Sequence, residues 1–222
     1  DVIPEFSGGA REALTIYHLL THQTGIPPIF MLKPNMYIDH LDEIIAAVCE
    51  VAQVTDTPGT RVNYSPMVAH ALMGEMVRRV DPKKRRYRQL VEDEIFKPAG
   101  MKDSAIGLRK DLKERKIVPD FLSPIPMTHP GHSNLGPHGA FEEEDAEMPW
   151  VGGVSTAYDV YRFAEMLRRG GELDGARVLG PAILDQATRN RTGDKPNELY
   201  MAMGLNRGWK PYPAYIGLGF SL

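Results

Sequence analysis

Histidines and acidic residues in one long stretch are the side chains whose types would suit a metal ion. His129, His132 and His138 precede the run Glu142-Glu143-Glu144-Asp145. They form no helical i, i+4 pair, and their spacing matches no metal-ligand motif. The surrounding residues, 119–149, are rich in Pro, Gly and His, which is typical of a long loop. We therefore favour a solvated loop over a metal site.

A run of positive charge at residues 83–88 (KKRRYR) has the composition of a phosphate-binding segment. Acidic residues follow at once, and Arg88 and Glu92 have the i, i+4 spacing of a helical ion pair. This mixture of signs indicates a solvated helix face. The net charge of −3 gives no overall positive field for nucleic acid or an anionic membrane. On this ground we expect no nucleic-acid partner. The glycine motifs that bind dinucleotides or nucleoside triphosphates are also missing.

Tyr64 is predicted to lie at the junction of an extended run and a helix, which would hold a functional side chain in a fixed position. Residues 57–60 (TPGT) form a turn signal, and residues 61–64 fit a short extended run. Ser65 is a favoured helix N-cap and Pro66 suits the first helical position, which predicts a helix from Pro66 through Val77. The backbone of Tyr64 is then fixed from both sides. From these residues alone, an ordinary buried tyrosine is the simpler interpretation.

An earlier helix is predicted at residues 15–22. Thr15 can accept a hydrogen bond from an otherwise unpaired amide at the helix start, and Gly25 stands where a helix ends in a left-handed residue. This placement makes His22 a hydrogen-bonded structural histidine rather than a base.

Apolar spacing and capping signals predict the remaining elements. Leu41, Ile44 and Val48 indicate a helix capped by Asp39 or Asp42, in which the single cysteine, Cys49, packs as a core residue. The other expected elements are a helix at 86–96, a helix after a capping box at 156–159, a tight turn at Asp174-Gly175 and a helix after Gly180-Pro181.

Four segments, in chain order, resemble signatures of one family. They are residues 14–25 (LTIYHLLTHQTG), 58–65 (PGTRVNYS), 96–104 (FKPAGMKDS) and 152–175 (GGVSTAYDVYRFAEMLRRGGELDG). On these segments the chain is identified as a member of the serine β-lactamase-like hydrolases, which include class C β-lactamases, family VIII carboxylesterases and D-aminopeptidases. The resemblance spans nearly the whole chain.

The resemblance implies the fold and the reaction. The fold would be α+β and β-lactamase/transpeptidase-like, with residues 1–222 supplying mainly its helical part and few strands of its sheet. The reaction would pass through an acyl-enzyme: a Ser in S-x-x-K attacks a carbonyl, its Lys helps to activate it, and a Tyr that maps onto Tyr64 relays the proton. The family uses no metal and no organic cofactor, so we expect none.

Two parts of that machinery do not match this sequence. No Ser is followed by Lys at the third position, and no K/H-x-G motif is found where the family would place it. The ends of the sequence resemble regions that lie after the first motif and before the third. We therefore expect this sequence to be an internal fragment, whose nucleophile lies outside it and which would not turn over substrate alone.

The substrate preference is predicted from one residue that differs from the family motif and from two residues that correspond to the wall of the family's site. Where the family often has Asn two residues after the Tyr, this sequence has Pro66, which favours esters over β-lactams. By analogy, Trp150 and Val151 line the acyl pocket, although Trp150 fits a core aromatic equally well. We expect a small-molecule ester or amide as partner and no membrane span, with a β-lactamase, an acyltransferase or a non-catalytic binding module as the alternatives.

Overall fold

The computed structural model describes residues 2–29, 31–34, 36, 38–117 and 144–222. The predicted loop histidines at 129, 132 and 138 lie outside these residues. The α-helices are α1 (Ile16–Leu20), α2 (Leu41–Val51), α3 (Pro66–Val80), α4 (Tyr87–Val91), α5 (Ala157–Arg168), α6 (Pro181–Ala187) and α7 (Glu198–Asn206). A π-helical turn, Glu92–Phe96, extends α4, and short 3-10 segments occupy Gly9–Ala13 and Lys110–Arg115.

The strands in the described part are short and form two antiparallel pairs. They are β1 (Ala105–Ile106) with β2 (Gly153–Val154), and β3 (Glu172–Leu173) with β4 (Ala176–Arg177). The predicted tight turn joins β3 to β4, because Asp174 and Gly175 both adopt positive φ, at 50° and 81°.

Helix α3 lies at the centre of the main apolar core. It packs against α1, α2 and α4, and its residues Val68, Ala71 and Leu72 are fully buried beside Ile44 and Val48 of α2. These positions recur every three or four residues, so one face of each helix is removed from water. The predicted helix from Pro66 through Val77 is present, and Val77 near its C-terminal end is 40% exposed.

Of the caps predicted for the first two helices, that of α1 is present and that of α2 is not. The Thr15 hydroxyl accepts a hydrogen bond from the His18 amide at 3.3 Å, and the Thr15 amide donates to Nδ1 of His18 at 3.3 Å, so the cap of α1 is confirmed. Neither predicted aspartate caps α2, because His40 holds the cap position and its ring contacts the Asp39 carboxylate at 2.8 Å.

The predicted end of α1 is wrong. The helix stops at Leu20, and His22, with a φ of 51°, takes the first left-handed conformation after it. Gly25 is also left-handed, but for a tertiary reason: a Cβ there would lie 2.1 Å from the Asp56 carbonyl oxygen. The glycine allows the chain at Asp56 to approach and to donate to the Gly25 carbonyl.

A buried carboxylate joins α5 to the loop before β1. Thr156 caps α5 by accepting from the Asp159 amide at 3.2 Å, which is one half of the predicted capping box. The return bond from Asp159 to the Thr156 amide is not formed. The Asp159 side chain points elsewhere, because its Oδ2 accepts from the Asp103 amide at 2.7 Å and from the Ser104 hydroxyl at 2.8 Å. The same loop is also held by Arg162, whose Nε donates to the Ala99 carbonyl at 2.7 Å.

We expect Asp159→Ala to lower the free energy of unfolding by about 1–3 kcal/mol, because it leaves two donors near Ser104 without their acceptor. Urea denaturation measures the loss. The matched control is Asp185→Ala, which removes an exposed aspartate from α6 and should change the free energy by less than about 0.5 kcal/mol. Equal values for the two variants would contradict the assignment.

Candidate active site

Three consecutive backbone amides hold Tyr64 in place. The Asn63 amide donates to the His22 carbonyl at 2.9 Å, and the Ser65 amide donates to Nδ1 of His22 at 3.3 Å. Between them, the Tyr64 amide donates to Oδ1 of Asn197 at 3.3 Å. His22 and Asn197 are both buried, so these bonds lie away from competing water.

The junction that the sequence predicted around Tyr64 is therefore present, but its cap is not. Ser65 precedes α3 and Pro66 is its first residue, as expected. The Ser65 hydroxyl makes no cap bond; it is buried and has no hydrogen-bond partner among the described residues. Asn197 pairs with Val62 in an isolated parallel bridge just before α7. Contacts distant in sequence thus supply the restraint that the cap was expected to provide.

Aromatic rings from three parts of the chain surround the Tyr64 side chain. Its ring centroid lies 4.6 Å from that of His22, 5.7 Å from that of Tyr200 in α7 and 6.3 Å from that of His70 in α3. The two histidine rings are 5.4 Å apart. Nδ1 of His70 is directed at the Pro66 carbonyl at 2.8 Å, so it carries a proton and donates there.

Burial keeps this cluster neutral. It raises the pKa of Tyr64 above its usual value, and the neighbouring Tyr200 raises it further. Burial, with repulsion from His70, lowers the pKa of His22 to about 3. Burial also lowers the pKa of His70, against the hydrogen bond to Pro66. Near pH 7, Tyr64 is a neutral phenol and the two histidines that contact it are neutral imidazoles.

Tyr64 can act as a base only if a cation is added. Free tyrosine has a pKa of about 10, so proton abstraction near pH 7 needs a shift of about 3 units, or about 4 kcal/mol. The described rings around Tyr64 shift its pKa in the opposite direction. In the described part of the chain, Tyr64 is therefore arranged to hold its proton.

The other two predicted site residues, Trp150 and Val151, lie just before β2. Trp150 is half-buried and packs between the main core and a small cluster that contains Ala146 and Met148. Val151 is 41% exposed. Among described residues, the rings that contact Tyr64 do not include Trp150. Their lining of an acyl pocket stays a prediction, and the packing of Trp150 fits the core alternative.

Sequence reasoning missed His70, Asn197 and Tyr200. His70 lies on the first turns of α3 and carried a detectable signal, since it is the histidine one helical turn after Pro66. Asn197 and Tyr200 are more than 130 residues from Tyr64 in sequence. No local pattern links them to it, because the pairing of Val62 with Asn197 forms only in the folded chain.

A groove of about 450 Å³ lies away from Tyr64, between the N-terminal segment, α1 and α3. Its walls are mainly apolar and include Ile3, Phe6, Leu19, Leu72 and Met76. In the part of the chain that the structure describes, no three His, Cys, Asp or Glu side chains are grouped to hold a metal ion. No described helix is both long and apolar enough to cross a bilayer.

Comparison with known proteins gives the same fold throughout. The family model described as Beta-lactamase matches residues 1–219. The chain is 28% identical to penicillin-binding protein 4 of Amycolatopsis lactamdurans, over 96% of this chain and 54% of that protein. The crystal structure of a penicillin-binding protein homolog from Caulobacter crescentus matches with a TM-score of 0.70 at 26% identity, covering 100% of this chain and 58% of that one.

The crystal structure of a family VIII carboxylesterase matches with a TM-score of 0.72 at 23% identity, again over 100% of this chain and 58% of that one. The predicted α+β, β-lactamase/transpeptidase-like fold is therefore confirmed. The chain spans about half the length of the curated relatives it matches, between 51% and 57%.

The buried His22 makes stability depend on pH in a defined direction. Its pKa is about 3 when folded and about 6.5 when unfolded, so its contribution is present above pH 6.5 and is lost as the pH falls towards 3. From pH 7 to pH 5, we expect the free energy of unfolding to fall by about 2 kcal/mol more in the wild type than in His22→Asn.

Urea denaturation at the two pH values measures this difference. His70 shifts in the same direction but is present in both proteins, as are Tyr64 and Tyr200, so the subtraction isolates His22. An identical pH dependence in the two proteins would show that the imidazole is not buried in its neutral form.

Proposed function

The chain belongs to the beta-lactamase family, and from this premise we propose that it carries the proton-relay tyrosine, Tyr64, of a serine hydrolase that works through an acyl-enzyme. The family comprises hydrolases of the esterase and β-lactamase type. The observation that carries the proposal is the way the backbone of Tyr64 is held. Tyr64 lies in segment 58–65, which resembles the family motif, and its own amide and both neighbouring amides donate to buried acceptors.

The proposal places the nucleophile in polypeptide outside this sequence. No Ser in the sequence is followed by Lys at the third position, and the chain covers only 51–57% of its curated relatives. We assign to that polypeptide the Ser and Lys of S-x-x-K and the basic residue of the third motif. The positive charges of that Lys and of the basic residue would supply the pKa shift that the neutral surroundings of Tyr64 do not.

The proposed reaction balances as a two-step acyl transfer. Tyr64 as phenolate takes the serine proton while the serine oxygen bonds to the carbonyl carbon of the substrate. Tyr64 then gives that proton to the leaving alkoxide as the ester bond breaks. Water attacks the acyl-enzyme by the same proton route and releases the acid and the free serine.

We propose carboxylic esters as the substrate class. Pro66 stands two residues after Tyr64, and its side chain has no polar atom with which to bind a substrate amide. Its carbonyl is already engaged with the ring of His70. The similarity to the carboxylesterase structure concerns the fold alone, so the ester proposal is carried by Pro66.

The alternatives remain a β-lactamase, an acyltransferase and a binding module without catalysis. Because water and an alcohol compete for one acyl-enzyme, product analysis with added alcohol separates hydrolysis from transfer. A full-length protein that forms no covalent adduct with a fluorophosphonate probe would favour the binding module.

We expect Tyr64→Phe in the full-length protein to slow hydrolysis of a p-nitrophenyl ester by about 10²–10⁴-fold, because the proton relay is lost while the ring packing is kept. Tyr161→Phe, which alters an exposed residue of α5, is the matched control and should retain activity. Circular dichroism confirms that both variants fold. Wild-type activity in Tyr64→Phe would reject the assignment.

We expect Pro66→Asn to raise kcat/KM for a chromogenic cephalosporin, relative to a p-nitrophenyl ester, by about 3–10-fold, as one added hydrogen bond to the lactam would do. Pro66→Ala removes the ring and gains the same backbone N–H as Pro66→Asn, but it has no amide side chain, so it is the control. A rise of the same size in both variants would attribute the effect to the backbone rather than to the amide side chain.

A further inference from the structure

His22 holds the backbone on both sides of Tyr64. Its carbonyl accepts from the Asn63 amide at 2.9 Å, and its ring Nδ1 accepts from the Ser65 amide at 3.3 Å. The same ring packs against the Tyr64 ring with centroids 4.6 Å apart. One residue therefore restrains Tyr64 through three contacts.

The side chains next to Tyr64 do not provide this restraint themselves. Oδ1 of Asn63 and the hydroxyl of Ser65 are buried and have no hydrogen-bond partner among the described residues. Ser65 does not cap α3 with its side chain. The direction of this segment thus depends on acceptors from elsewhere, namely His22 and Asn197.

The geometry also defines the form of His22 that is needed. An Nδ1 that accepts from a backbone amide carries no proton, so the neutral ring has its proton on Nε2. A protonated ring would turn the acceptor into a second donor facing the Ser65 amide. Burial keeps the ring neutral by lowering its pKa to about 3. The buried ring is therefore suited to accept this bond and unsuited to act as a base near pH 7.

Resting on the proposed role of Tyr64, we propose that His22 is the positioning residue of this active site: through Nδ1 and its carbonyl it sets where the Tyr64 hydroxyl lies. His22 acts through Tyr64 and takes no proton from the substrate. His22 has a left-handed backbone, with a φ of 51°, and presents its carbonyl to the Asn63 amide and its ring to the Ser65 amide.

Two substitutions separate the acceptor of His22 from its ring. In His22→Asn, Oδ1 is bonded to Cγ as Nδ1 is in histidine, and asparagine tolerates the left-handed conformation. His22→Phe keeps a ring but has no acceptor. His22→Gly lacks both and adopts a positive φ without strain, so it covers the case in which the Phe variant does not fold.

The experiment measures kcat and KM for a p-nitrophenyl ester in the full-length protein. We expect His22→Phe and His22→Gly to lower kcat by about 10–100-fold with KM within about 2-fold, because a small displacement of a catalytic group affects the transition state most. His22→Asn should keep kcat within about 5-fold of the wild type. Against a Tyr64→Phe background, His22→Phe or His22→Gly should cause no further loss.

The outcomes distinguish failure of the inference from failure of the proposed function. If Tyr64→Phe is inactive, three results would show that His22 does not act through Tyr64. The His22 variants could keep the wild-type kcat, or His22→Asn could lose as much activity as His22→Phe and His22→Gly. In the third case, the loss in a His22 variant would add to that of Tyr64→Phe. If Tyr64→Phe itself keeps full activity, the proposed function fails, and the positioning role fails with it.

Discussion

Three amides in a row, those of Asn63, Tyr64 and Ser65, donate to acceptors that come from two distant parts of the chain. Each unpaired buried amide would cost about 1–3 kcal/mol, so the extended run at 61–64 is stable only with both partners in place. This constraint brings the segment after α1, the start of α3 and the start of α7 to one point. The surrounding elements can be understood as the means of meeting it.

The electrostatic character of the site follows from the same arrangement. The acceptors are buried, and so is His22, while the half-buried ring of His70 lies beside the His22 ring. Burial that strengthens hydrogen bonds also disfavours charge, and it acts on Tyr64 as well. In the proposed function, positioning and activation are therefore separate: the described residues hold the phenol in place, and a cation from outside this sequence would lower its pKa.

Features that depend on residues close in the sequence could be predicted, whereas features that depend on tertiary contacts could not. The caps at Thr15 and Thr156, Pro66 at the start of α3 and the turn at Asp174-Gly175 depend on neighbours within a few residues, and all are confirmed. Local rules failed where a tertiary contact competed. Gly25 is left-handed because Asp56 approaches it, and neither it nor the cap at Asp39 behaves as the local pattern indicated.

The candidate site shows the same division more sharply. Tyr64 was found through a motif that lies within eight residues, whereas Asn197 and Tyr200 had no local signal. His22 was correctly predicted to be a hydrogen-bonded structural residue, yet its partner, the Ser65 amide, could not be read from sequence. The roles of Trp150 and Val151 rested on analogy and stay predictions.

The four motif segments also explain why the sequence predicts the fold while the substrate is only proposed. They contact one another in pairs: residues 14–25 hold 58–65, with the Gly59 amide also donating to the Gln23 carbonyl, and residues 152–175 hold 96–104 through Asp159 and Arg162. Their residue types therefore satisfy contacts within the scaffold. A resemblance in such segments therefore predicts the fold and the backbone contacts that hold Tyr64. In the proposed function, substrate choice depends on positions outside these pairs, such as Pro66, where this chain departs from the pattern.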